Sequence, residues 1–223
     1  MANPRVYDVD TAMGAVVSTN KVLRNTYMLL GMTLLFSAMT AGISMAIGIG
    51  QGMALILMLV GFGLLFVVNR MADSSKGLLA IFAFTGVMGA ALGPMLSYYL
   101  SMPGGPALVM QALGGTAVVF FGLSAYALTT RRDFSFLGGF LMVGLIVALV
   151  AMLANIFLNI PALSLTISAA IVFIMSGLIL FDTSRIVNGG ETNYIRATVG
   201  LYLNIYNLFV HLLSLLTALS GDD

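Results

Sequence analysis

The chain contains no cysteine and no tryptophan, a single histidine, and only 8% charged residues. Without cysteine, disulfides, thiol nucleophiles and thiolate metal sites are excluded. The lone imidazole, His211, does not make a metal site by itself, because zinc needs three or four such ligands. Calcium needs six to eight oxygens, and the apolar stretches hold too few acids to supply them. There is no HExxH pair, no nucleophile elbow and no phosphate loop, so nothing points to an enzyme or a bound cofactor. The net charge is +1 and no basic, aromatic-rich patch suggests nucleic acid as a partner. Charge is the most informative shortage, since a soluble domain is about 25% charged.

What fills the space is hydrocarbon: 60% of the 223 residues are hydrophobic. Three stretches carry no charge at all, Asn25 to Asn69, Gly77 to Thr130 and Phe134 to Phe181. Each is roughly twice the ~20 residues that a helix needs to cross a bilayer, so each reads as a helical hairpin. A seventh segment follows Arg196. Nothing alternates in the ~10-residue pattern of a membrane barrel. The partner of this surface is the lipid bilayer, and the fold class is all-α integral membrane. Gly48 and Gly50, the run "SMPGGP" ending at Pro106, and Pro161 divide the hairpins, because Gly and Pro clusters stop helices. The expected spans are 26–48, 52–70, 77–100, 106–130, 134–159, 162–187 and 193–219. They make one domain over 26–219, with a tail at 1–25 and a short one at 220–223.

Every basic residue falls on one side of that arrangement. Arg5, Lys21 and Arg24 precede the first span, and Arg70, Lys76, Arg131, Arg132, Arg185 and Arg196 occupy the second, fourth and sixth connections. The positive-inside rule makes that side cytoplasmic, so the N-terminus is expected inside and the C-terminus outside. The first 25 residues lack the short apolar core and cleavage site of a signal peptide. They read as a mixed, polar cytoplasmic tail, in which "TAMGAVV" (11–17) has the character of a surface-lying stretch.

Polar residues within the spans are the candidates for function. Asp182 is the only acid in any span and lies one to two turns before the helix stop at Asn188-Gly189. Arg185, three residues on, reaches the same helix face, and Arg70 ends on the same membrane side. Asp182 is then either an interfacial acid satisfied by arginine and water or a buried functional one. Gly200, Asn204, Asn207, His211 and Ser214 form a stripe down the seventh span at spacings of four, three, four and three. Such a stripe should avoid lipid, which makes the last helix central, surrounded by the other six. Two readings of the stripe stay open, interhelical hydrogen bonding and a hydrated ion or proton path. Gly89 and Gly93, four apart, permit close helix approach, and Pro94 kinks the helix or widens its hydrogen-bond ladder.

The stretch "FDTSRIVNGGETNYIRATVGLYLNIYNLFVHLL" (181–213), with "KVLRNTY" (21–27), "FAFTG" (82–86), "LGP" (92–94), "TTRRDFSFLGG" (129–139) and "ANIFL" (154–158), resembles the Bax inhibitor family of seven-helix membrane proteins, most closely its bacterial YccA branch. The resemblance implies six helices enclosing the last, and a bacterial inner-membrane location. It implies partnership with the membrane-anchored AAA protease FtsH, as modulator and substrate. As an alternative, it implies a pH-modulated leak for calcium or other cations, worked by an acid on the sixth helix paired with one on the seventh. Asp182 matches the first acid, but Asn204 stands where the second is expected. Two adjacent carboxylates share a proton, whereas an Asp–Asn pair does not.

Overall fold

The structure is a computed structural model that describes residues 4–221, with side chains described from Thr19 onward. The chain forms seven helices, α1 (Pro4–Ala46), α2 (Gln51–Met71), α3 (Lys76–Leu100), α4 (Gly105–Thr130), α5 (Leu137–Leu158), α6 (Pro161–Val187) and α7 (Tyr194–Ser220), and no strand appears among the described residues. All seven are long and apolar enough to cross a membrane, α1 through its Thr19–Ala46 part. The shortest, α2, has 21 residues and is about 31 Å long at 1.5 Å per residue, enough to cross a hydrocarbon core. The breaks fall at the expected punctuation. Gly104 turns the chain with φ +72° ahead of α4, and Pro161 opens α6, where its missing N–H costs nothing. The backbone of α1 extends back to Pro4. The surface-lying stretch 11–17 has its side chains outside the described residues, as have Asp222 and Asp223 altogether.

Close helix contact comes from small residues on α3. Its buried face includes Ala80, Gly86, Gly89, Ala91 and Gly93, and it lies along α1 and α2. A Cβ on Gly89 would collide with the backbone oxygen of Ser37 and with Thr40, so only glycine allows α1 and α3 to come this near. Pro94 has no N–H to offer the carbonyl of Ala90, four residues back. That carbonyl is not left bare: Ser44 Oγ on α1 donates to Ala90 O at 2.7 Å. The helix therefore continues through Pro94 to Leu100, with a neighbour supplying the lost hydrogen bond.

Five helices approach α7: it packs along α6, α4 and α1 and touches α3 and α2. The expectation that all six surround it is corrected in one respect. Among the described residues α5 makes no close backbone approach to α7, and α6 separates the two. The physical reason is composition. Along α5 only Leu141 and Ala148 are buried, while Phe140, Val147, Leu153 and Phe157 are exposed. Lipid satisfies such a surface as well as protein does.

The basic end is tied by its connections. Ser184 Oγ near the end of α6 donates to Arg132 O at 2.9 Å and accepts from Phe134 N at 3.0 Å, fixing the α4–α5 turn. In that turn Asp133 accepts from the hydroxyl of Ser135 and from its backbone N–H, the latter at 2.8 Å, which holds the carboxyl below its ordinary value of 3.8. A depressed pKa stabilises the turn above that value, and the contribution is lost as pH falls below it. Asn193 caps α7 by accepting from Ile195 N and Arg196 N, the role for which Asn is favoured. Its amide donates to Ala72 O at 3.0 Å and to Asp73 Oδ1 at 2.8 Å, and Arg196 forms an ion pair with Asp73. The α2–α3 and α6–α7 turns are thereby joined.

Candidate functional site

Asp182 and Asn204 meet across the α6–α7 interface, where Asn204 Nδ2 donates to Asp182 Oδ2 at 2.8 Å. The approach is possible because α7 has glycine one turn earlier: a Cβ at Gly200 would stand 3.0 Å from Asp182 Oδ2. Asn204 is buried, 6% exposed, so its amide has few partners besides this carboxylate, and leaving either group unpaired in a low-dielectric interior is costly. Asp182 borders a cavity of about 330 Å³, lined also by Leu65 and Asn69 of α2, Arg185, Glu191 and Arg196.

The two arginines proposed as partners for the acid are placed differently. Arg185 shares the cavity with Asp182, but its guanidinium turns to Glu191, with Nη2 3.8 Å from Oε2. It also lies over the Phe181 ring at 5.5 Å. Arg70, at the end of α2, is exposed and does not line the cavity. The direct bond to Asp182 therefore comes from a neutral amide rather than a cation.

The remaining stripe residues do not form one continuous network. Asn207 Nδ2 donates to Leu203 O of its own helix at 2.8 Å. His211 Nδ1 is 3.2 Å from Ser168 Oγ on α6 and borders a separate cavity of about 340 Å³ with Asn155, Asn159 and Ser164. Ser214 lies near the Tyr99 hydroxyl. Gly200, Asn207, His211 and Ser214 all lie on the half-buried side of α7, whereas Tyr202, Ile205, Leu208 and Phe209 form the buried one. Among the described residues no three His, Cys, Asp or Glu side chains gather to hold a metal ion.

A lone membrane acid bonded to an asparagine on the last of seven helices is the arrangement that the motif at 181–213 led to, and comparison with known proteins decides its lineage. The profile described as "Inhibitor of apoptosis-promoting Bax1" matches residues 19–221. The chain belongs to the Bax inhibitor family. Its similarity to Bax inhibitor relatives runs the whole length of the sequence. It is 56% identical to the "Modulator of FtsH protease YccA" of Escherichia coli K12, over 93% of this chain and 94% of that one. It is 50% identical to a membrane protein of Vibrio cholerae, over 99% and 100% of the two chains. It is 44% identical to a Pseudomonas aeruginosa protein, over 97% and 98%. With seven apolar helices and a relative named as an inner membrane protein, this Bax inhibitor member is a multi-pass protein of the bacterial inner membrane.

Several structural residues of this Bax inhibitor chain escaped the sequence reading. Tyr202, 1% exposed, is 2.7 Å from Ser37 Oγ, and Thr198 Oγ1 donates to Thr26 O at 3.3 Å, so α7 is bonded to α1 twice. Neither contact has a local signature, because partners spaced 165 and 172 positions apart give no periodic signal. Asn193, which the expected span 193–219 counted as its first residue, instead caps α7, and it also bonds the α2–α3 turn.

Proposed function

We propose that this protein modulates an FtsH-type membrane protease in the inner membrane, and is itself a substrate of it. The observation that carries the reading is the 56% identity, across 93% of the chain, with the Escherichia coli protein named as the modulator of that protease. The Asp182–Asn204 bond is compatible with it, since a single hydrogen-bonded acid joins two helices and position 204 carries an amide in place of a second carboxylate. The N-terminal segment, on the basic and cytoplasmic side, is the handle by which the protease engages the chain. Deleting residues 2–20 should lengthen the protein's half-life in cells several-fold and abolish its effect on turnover of other protease substrates. Unchanged half-life and unchanged modulation, which a tail on the opposite side of the membrane would also give, would count against both the handle and the orientation.

A further inference from the structure

Helices α1 and α4 both flank α7, yet make no close backbone approach to each other among the described residues. Between them runs a groove. A cavity of about 330 Å³ is bounded by Tyr27, Gly31 and Leu34 of α1 and by Thr116, Phe120 and Phe121 of α4. A second, of about 280 Å³, shares Leu34, Leu113, Thr116 and Ile205 and continues to Met45. From Tyr27 to Met45 the trough follows α1 for about 27 Å at 1.5 Å per residue, most of the ~30 Å hydrocarbon thickness. No described residue fills it at Gly31 or Gly42, where a Cβ would have no atom within 4 Å. Among the described residues, two buried hydroxyls on residues that line it have no hydrogen-bond partner, Tyr27 Oη and Thr116 Oγ1, and Thr116 is only 5% exposed.

At the basic end a separate polar cavity, which shares no lining residue with the trough, forms a mouth lined by Thr19, Asn20, Leu23, Leu128, Arg131 and Asn188. Leu23 and Tyr27, four apart on α1, share a helix face, as do Phe121 and Leu128, seven apart on α4. Mouth and trough are therefore in register. Arg131 sits at the left-handed C-cap of α4, and Lys21 and Arg24 are exposed on α1 nearby in sequence. Among the described residues none of these three joins a salt bridge.

A cationic mouth, an unpaired hydroxyl just inside it and then a thin apolar trough follow the order of a phospholipid: phosphate, ester carbonyl, acyl chain. We propose that the α1–α4 groove binds an anionic phospholipid of the cytoplasmic leaflet, with its phosphate at Arg131, an ester carbonyl accepting from Tyr27 Oη, and an acyl chain along Gly31 and Leu34. Basic pockets between membrane helices take anionic headgroups on this side of the bilayer. A partner helix does not fit the same space. It is 10–12 Å across, and the floor residues Tyr202, Ile205 and Tyr206 are already only 1%, 8% and 7% exposed.

The test uses full-length protein in mixed micelles of phosphatidylcholine with and without phosphatidylglycerol, reading retained lipid by native mass spectrometry and stability by thermal melting. Wild type should retain phosphatidylglycerol preferentially. Arg131→Gln should weaken that preference about fivefold, the contribution of one cation near an anionic surface. Tyr27→Phe should weaken retention of both lipids. Thr116→Val should change neither, because an acyl chain offers its hydroxyl nothing to bond. Gly31→Phe should expel the lipid while melting in lipid-free detergent no lower than wild type, and Gly31→Leu replaces it if that variant does not fold. Equal retention of the two lipids by wild type, or undiminished retention in the Gly31 variant, overturns the proposal. So does loss of binding in Thr116→Val, which would assign the groove to an occupant carrying a polar group at mid-membrane depth.

Discussion

Asp182 shows how strongly one hydrogen bond can define a membrane acid. Its bonding partner is the amide of Asn204 at 2.8 Å, and Gly200 provides the room for that approach. Replacing Asn204 by Leu removes the donor while leaving the carboxylate in place, and should cost about 2 kcal/mol in a denaturation titration in mixed micelles. Adding Asp182→Leu should recover most of that loss, since removing both partners leaves no unpaired group. A double variant no more stable than Asn204→Leu alone would mean that the acid has other bonding partners. Asp182 was legible from the sequence, because a charge-free run ending in an acid is conspicuous, and its pairing with position 204 came from the family resemblance. The choice of asparagine over arginine as its direct partner was not. Arg185 lies within reach on the same helix but finds Glu191 instead, and that competition depends on where the α6–α7 turn places Glu191.

Among the elements, α1 and α3 form the interface on which most else rests, and its chemistry compensates a proline. Ser44→Ala should expose the Ala90 carbonyl and cost about 1 kcal/mol, within the range of interhelical hydrogen bonds in membranes. In a Pro94→Ala background the helix regains its own N–H at position 94, and the same serine change should cost less than half as much. An equal cost in both backgrounds would show that Ser44 acts by packing against Gly93, not by bonding Ala90. The positions of six of the seven helices were readable because Gly, Pro and Asn-Gly breaks interrupt otherwise uniform hydrocarbon. Which faces meet was much less readable: in a chain this apolar nearly every face is greasy, and only the small residues Gly89 and Gly93 and the polar stripe of the seventh span marked a contact. The isolation of α5 from α7 had no signal, since a helix that prefers lipid reads like one that is buried.

Taken whole, the molecule is bound unevenly from end to end. At the basic end the α2–α3, α4–α5 and α6–α7 turns are linked to other elements through Asn193, Asp73, Arg196, Ser184 and Arg132. At the other end the α5–α6 turn is closed mainly by bonds within itself, Asn155 to Ile160 and Ser164. The first helix carries the most extensive interface of all, along α3, together with the Ser37–Tyr202 contact and the Ser44–Ala90 bond. This has a mechanical consequence. A motor that grips the N-terminus and pulls loads its strongest joint first, and once α1 slides out, α7 and α3 lose packing together. The expected force trace, pulled from the N-terminus in a bilayer, is one large initial rupture followed by smaller ones. The chain would then resist extraction as a single threshold, after which little holds the remainder back.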